Sequence, residues 1–427
     1  MKWLTPFCCM FFLTLCCQSQ TRSEIIEQLD WKKTLEIAMT NNPQLKAARN
    51  EIEIADAERI DASKRLNPAF STYFEDYRLF SSEMGAFFQT QEITVRLDQE
   101  IETAGKRRLR NQVAELRTQA QKADYDNTRR ALVLDVRRAY FQGVLAQTNL
   151  DVADGALEEI DRVIELNRTR LEKGDISGVE LKRVEVERLK FIDDVFTARL
   201  ALVNAKATLL ALLGLPQTDA SFKFSGALAM DSWTGDSSDG IPPRLPLVEL
   251  ERQAFNKRPD LKASMFEQQR ADTETLHQRA LRSPNITLTG GYKRNLIDNT
   301  VAFGFTFPLK LYDRNEGGIA RAAAEKARSE NLATYTRQQV LLDIHKAHNA
   351  VEINRQRLEY IEKESIKKAD ESRQIVLAAY RFGEIDLINL LDAERAYRET
   401  RKVYNQALYD YRMSLYELGN SVGLEVE

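Results

Sequence analysis

The chain has 427 residues, 61 Lys and Arg against 64 Asp and Glu, a formal net charge of −3 and a pI near 5.9. Its mean hydropathy of −0.44 excludes a bundle of lipid-facing helices, since each span needs roughly 20 apolar residues. The balanced charge argues against a nucleic-acid partner, which is met by a net basic face. With only 18 Gly and 10 Pro beside 29% charged residues, the composition points to long solvated helices rather than a compact enzyme.

At the N-terminus, Lys2 precedes an apolar run from Trp3 to Cys17, and polarity begins at Gln18. This reads as a secretory signal over residues 1–19, cut after Ser19. Cys16 and Cys17 are the alternative positions for a lipid anchor, although Leu13-Thr14-Leu15 only loosely resembles the motif that precedes such a cysteine. All four cysteines lie within the first 17 residues, so a mature chain contains no thiol and no disulfide.

A helix is predicted over 34–64, broken at Asn41-Asn42-Pro43 and ended by Pro68. A strand over 70–77 and a turn segment over 79–86 follow. Ile93, Val95, Leu97, Gln99 and Ile101 then alternate with Thr94, Arg96, Asp98 and Glu100, a strand with one apolar and one wet face. Residues 105–172 carry no proline and form a helix roughly 100 Å long. Leu150, Ala153, Leu157, Ile160, Ile164 and Leu171 make a coiled-coil seam with Asn167 in one slot. After Gly174 a return helix occupies 178–213, with Leu181, Val184, Phe191, Val195, Ala198, Leu202, Ala205 and Leu209 as its seam.

A linker over 215–246 holds four prolines and a Ser/Asp cluster, with room for one short strand over 221–227. The remainder, 247–427, repeats residues 20–214: a helix, a β-hairpin over 284–309, a long helix over 316–381 and a return helix over 387–420. The duplication is visible directly. Asn42-Pro43-Gln44-Leu45 falls on Arg258-Pro259-Asp260-Leu261 and Pro68 on Pro284, an offset of 216; Gly174-Asp175-Ile176 falls on Gly383-Glu384-Ile385, an offset of 209. The change in offset is expected to be a single length difference between those landmarks.

The strands have about the 9–11 residues that a tilted transmembrane strand requires. Four such strands cannot close a barrel, and an open edge cannot face lipid, so several chains must pool their hairpins. The fold expected is therefore mainly α with a small β part: duplicated coiled-coil hairpins forming an α-barrel, with four strands per chain contributing to a composite β-barrel.

These landmarks, together with Leu212-Leu213-Gly214-Leu215-Pro216, Tyr380-Arg381-Phe382-Gly383-Glu384-Ile385-Asp386 and Leu390-Leu391-Asp392-Ala393-Glu394-Arg395, resemble the TolC-type outer-membrane efflux family. The resemblance implies a homotrimer whose twelve strands form one barrel in the outer membrane of a Gram-negative bacterium, continued by a periplasmic α-helical tunnel. It implies a passive exit duct, partnered by a periplasmic adaptor and an inner-membrane pump, in contact with outer-membrane lipid, with no cofactor and no nucleic acid. Gln99-Glu100-Ile101-Glu102-Thr103-Ala104-Gly105-Lys106-Arg107-Arg108 and Pro308-Leu309-Lys310-Leu311-Tyr312-Asp313-Arg314-Asn315 resemble the cobalt–zinc–cadmium branch, which implies heavy-metal cations as cargo. The basic cluster Lys106, Arg107, Arg108 and Arg110 is expected at the headgroup boundary.

By the same resemblance, the tips at Gly174, Asp175, Gly383 and Glu384 would meet the adaptor. Family gate positions fall on Glu180, Asn389 and Asp392, with Tyr380 beside them, while a gate arginine falls on Ile385. Only Glu180 and Asp392 keep the acid. A periplasmic coiled-coil tether without a channel is the alternative, and it would need a lipoyl-like β domain between the hairpin arms. His345 and His348, three apart, are read as solvated helix residues rather than metal ligands, with His277 the one further imidazole in the sequence. Ser365 and Lys368 stand alone, and no catalytic constellation is found.

Overall fold

The computed structural model describes residues 28–75, 92–217, 221–228, 246–295 and 298–424. The leader over 1–19 with Cys16 and Cys17, the turn over 79–86 and most of the linker lie outside the described residues.

The first repeat opens with β1 (Gln28–Leu29), α1 (Trp31–Asn41) and α2 (Pro43–Ser63). The break between the helices is a pair of caps. Asn42 ends α1 and starts α2, its Oδ1 accepting from the Leu45 N–H at 3.0 Å with Pro43 at the first helical position. Then come β2 (Ala69–Glu75), β3 (Glu92–Ile101), α3 (Lys106–Lys173) and α4 (Gly178–Leu213). The linker holds β4 (Lys223–Phe224), and the second repeat then runs through α5 (Leu247–Lys257), α6 (Pro259–Ala280), β5 (Ile286–Arg294), β6 (Asn299–Thr306), α7 (Glu316–Tyr360), α8 (Lys367–Phe382) and α9 (Leu387–Val422). The short strand expected in the linker is β4, paired in parallel with β1.

Both repeats clamp the end of the return helix onto the cap of the second helix. In the first, the Asn42 amide donates to the Leu212 carbonyl at 2.7 Å. In the second, Arg258, 4% exposed, donates to the Ser421 carbonyl at 3.0 Å while forking onto Asp260 and reaching Asp343. The main core gathers around these clamps, with Tyr140, Leu145, Leu209, Leu213, Ile344 and Val422 among its members. A second, smaller core of Ile160, Ile164, Val184, Phe191, Tyr380, Leu387 and Leu390 holds the hairpin tips.

Three expectations need correction. The long helix of the second repeat is not continuous: a π turn at Ile361–Ile366 joins α7 to α8, whereas α3 runs for 68 residues unbroken. No Pro or Gly marks that turn, so nothing in the local composition announces it. The strand expected to reach residue 309 leaves the ladder at Thr306. The offset between repeats changes twice. It falls from 216 to 210 across the hairpins, where Gly105 and Asn315 both precede a long helix in the left-handed conformation, and to 209 along that helix.

The basic cluster also divides. Lys106, 5% exposed, turns inward to the Ser283 carbonyl and the Asn285 side chain, because the loop before β5 offers it two oxygens. Arg110 pairs with Glu102 and donates to the Ala62 and Lys64 carbonyls. These two staple the strand–helix junction; Arg108 remains exposed.

Candidate functional site: the membrane sheet and the hairpin tips

The four long strands form one antiparallel sheet in the order β2-β3-β5-β6, so the two hairpins lie side by side and, among the described residues, β2 and β6 keep free edges. Strand alternation gives the sheet two unlike faces. One carries Phe70, Phe74, Ile93, Val95, Leu97, Ile286, Leu288, Tyr292, Val301, Phe303 and Phe305 in adjoining register. The other carries Ser71, Glu75, Glu92, Thr94, Arg96, Asp98, Thr289, Lys293 and Thr300. On this polar face Lys293 pairs with Glu92, and Arg96 donates to Asp98 at 2.8 Å. An apolar face beside a wet, ion-paired face is what a barrel wall between lipid and a water-filled lumen requires.

At the far end of the helices, the two tips are built alike. Gly174 and Gly383 take φ of +80° and +78°, a conformation that a side chain strains, and each closes its helix with paired backbone bonds. Gly174 N–H donates to Leu171 and Asp175 N–H to Arg170; Gly383 and Glu384 repeat this on Tyr380 and Ala379. All four tip residues are exposed.

The structure separates the predicted gate residues. Glu180 is exposed in the first turn of α4, its N–H bonded to the capping Ser177 Oγ at 3.3 Å, and Asn389 occupies the equivalent turn of α9. Asp392 is exposed one turn on, 3.5 Å from Arg395. Tyr380 is instead buried, and its hydroxyl donates to Asn167 Oδ1 at 2.7 Å. The seam asparagine therefore has its partner on the other hairpin. Burial pushes the Tyr380 phenol above its ordinary value. Ile385 packs against the tip core.

Sequence reasoning missed the charges that join the two hairpins. Arg170 of α3 stacks over the Tyr380 ring and donates to the Tyr380 and Arg381 carbonyls of α8, while Arg381 returns to Glu159 at 3.2 Å. Between the return helices, Arg395 meets Glu187 at 3.7 Å, Arg398 pairs with Asp194, and Lys402 reaches Asp194 at 3.3 Å. The available signal was opposite charge on two helices already expected to be neighbours, but spacing along one chain does not reveal such pairs.

Glu394 was also missed. It is 6% exposed, and burial raises its carboxyl above the ordinary range against the opposing pull of Arg373 at 3.5 Å. A raised acid favours the packed state when protonated. Tip stability is therefore expected to be greatest below the ordinary glutamate range and to fall as pH rises through the raised value. Limited proteolysis of the tips against pH should show this dependence, and Glu394→Gln should flatten it.

His345 lies 3.1 Å from Glu251, and His277 lies 3.4 Å from Glu274. Among the described residues, no group of three or more His, Cys, Asp and Glu could hold a metal ion.

Comparison with known proteins matches residues 34–215 and 250–424 to the family described as "Outer membrane efflux protein". The chain belongs to this outer-membrane efflux family. It is an efflux protein of the outer membrane. The cobalt-zinc-cadmium resistance protein CzcC of Cupriavidus metallidurans is 25% identical over 380 residues, covering 88% of this chain and 85% of the relative. The outer membrane protein TolC of Vibrio cholerae is 23% identical over 325 residues, covering 73% and 72%. A crystal structure of CusC superposes with a TM-score of 0.77 at 18% identity, covering 93% of this chain and 94% of that one. The Campylobacter jejuni CmeC channel does so with a TM-score of 0.76, also at 18% identity, covering 92% and 85%. These structures establish the shared fold of helical barrel and β-barrel.

Proposed function

We propose that three copies assemble into the outer-membrane exit duct of a tripartite efflux system and pass heavy-metal cations without catalysis. The observation that carries this reading is the two-faced sheet with both edges open, borne by a chain whose α3 extends about 100 Å. Three such sheets joined edge to edge leave no strand unpaired. Lateral association is supported further down. Val186, Leu189, Phe196, Leu200 and Val203 are exposed along α4, a helix long and apolar enough to cross a membrane by length and composition alone. Neighbouring copies would cover such a stripe, as they would Leu332, Tyr335, Leu342, Ile353 and Tyr360 on α7.

The cation reading draws on the similarity to a cobalt-zinc-cadmium resistance protein and on charge. Glu75, Glu92, Asp98 and Glu100 outnumber Arg96 and Lys293 on the wet face of the sheet, and Glu75 stands directly opposite Glu92. An acidic lumen concentrates cations. At the other end, the exposed loops around Gly174, Asp175, Gly383 and Glu384 would receive the periplasmic adaptor, and an inner-membrane pump would supply the energy. Glu180, Asn389 and Asp392, one or two turns above, would line the entrance, with Tyr380 locking the hairpins behind it. The tether alternative leaves the broad apolar face of the sheet without a role.

Purified protein in planar bilayers should give cation-selective conductance, and Asp392→Ala should lower that selectivity. A protein that forms no channel, or conducts anions preferentially, overturns the proposal.

A further inference from the structure

The two hairpins agree residue for residue. With the first strands offset by 216 and the second by 210, the pair Ser71–Arg96 falls on Thr287–Thr306 and Thr72–Val95 on Leu288–Phe305. Tyr73–Thr94 likewise falls on Thr289–Gly304, and Glu75–Glu92 on Gly291–Ala302. Every one of these is a pair of directly opposed residues in the structure, so the repeats share one ladder register.

Inside the chain the repeats meet where β3 pairs with β5: Leu97 opposes Gly290, Gln99 opposes Leu288 and Ile101 opposes Ile286. In a ring of copies, β6 stands to the next copy's β2 as β3 stands to β5. Applying the same offsets to this junction sets Phe307 opposite the partner subunit's Phe74. Leu309 then faces the partner subunit's Thr72.

We infer that residues 307–310, which run on beyond the paired end of β6, are the edge strand that joins the next copy's β2 in this register. The inference rests on the ring assembly proposed above and supplies its geometry. Three observations support it. The segment has almost no place on β5, where Thr287 opposes Thr306 at the end of β6 and only Ile286 of the strand remains beyond that pair. Its apolar residues Phe307 and Leu309 are exposed and continue the odd-numbered face of Val301, Phe303 and Phe305, before the chain turns where the Leu311 N–H donates to the Leu309 carbonyl at 2.9 Å. Phe305 and Phe307 stack with ring centres 6.3 Å apart and planes 6° from parallel, so that alternation persists past the ladder.

The register also keeps the faces matched. Phe307 and Leu309 meet residues of the apolar face of β2, whereas a slip of one residue would set them against its wet face. Pro308 has no N–H and forgoes at most one bond, a cost tolerated near a strand end. The result is a continuous apolar band across the boundary between copies, with Phe–Phe and Leu–Thr cross-strand pairs.

Cysteine cross-linking tests this in the full-length protein with its four native cysteines, all within the first 17 residues, replaced by alanine. Opposed pairs alternate between two spacings along an antiparallel ladder. Two adjacent pairs are therefore needed: Leu309→Cys with Thr72→Cys, and Lys310→Cys with Ser71→Cys. Oxidation should give reducible covalent dimers and trimers on denaturing gels for at least one pair. The pair slipped by two, Leu309→Cys with Phe74→Cys, should give several-fold less, because diagonal neighbours lie beyond disulfide reach. Single-cysteine chains are the background. An assembled ring that cross-links best at the slipped pair, or at neither, overturns the register while leaving the duct intact. A protein that runs as a monomer before oxidation overturns the ring assembly itself.

Discussion

Replacing Arg258 with alanine is expected to lower folding stability by about 3–5 kcal/mol, the cost of breaking a buried pair from one side. Its side chain is 4% exposed and joins three helices: Asp260 at the start of α6, Asp343 on α7 and the Ser421 carbonyl at the end of α9. Denaturant unfolding followed by far-UV circular dichroism reads the loss, and a change below about 1 kcal/mol would sink the assignment. Arg258→Lys should recover only part, since an ammonium cannot fork onto Asp260. The pH profile gives a second readout. Burial raises the Asp260 carboxyl, but the Arg258 hydrogen bonds and charge outweigh this and hold it below its ordinary value. The stability this pair contributes is thus present above the ordinary aspartate range and lost as pH falls through the lowered one. The alanine variant should lose that acid limb.

Cutting the ladder between the return helices is expected to open the entrance. Arg398→Ala with Lys402→Ala strips Asp194 of both its cations. Loss of a charge-assisted hydrogen bond worth about 1.5 kcal/mol would raise the open population by roughly tenfold, provided the closed state alone makes it. Macroscopic conductance of purified protein without an adaptor measures this. The exchange Asp194→Arg with Arg398→Asp should return conductance toward the parent level. Unchanged conductance in the alanine double variant would falsify the latch.

Much of the fold was legible because periodicity records burial directly. The return-helix seam of Val184, Phe191, Val195, Ala205 and Leu209 is buried as its spacing implied, and so are Leu390, Ala407, Tyr411 and Leu418 in the second repeat. The Asn42-Pro43 break, the turns at Gly174 and Gly383 and the short strand at Phe224 were legible for similarly local reasons. What escaped depends on partners distant in sequence. Tyr380 faces Asn167 across 213 positions, and Arg398 faces Asp194 across 204, so neither pairing leaves a trace in local pattern. Lys106 looked like a headgroup anchor because its neighbours are basic, yet two oxygens contributed by the other repeat draw it inward.

The π turn at Ile361–Ile366 gives the two repeats different angular phase. A wider turn lets the chain advance by an extra residue without the rotation an α-helix would impose, which reorients everything below it by about 100°. At their upper ends, α3 and α7 start from matched left-handed residues, so in the proposed ring three chains would carry six near-equivalent hairpins. Below the π turn the repeats differ, and in that ring sixfold likeness would give way to true threefold order. A wide passage needs only the former. A closed aperture needs the latter, since one hairpin of each pair must lean inward while its neighbour stays outside.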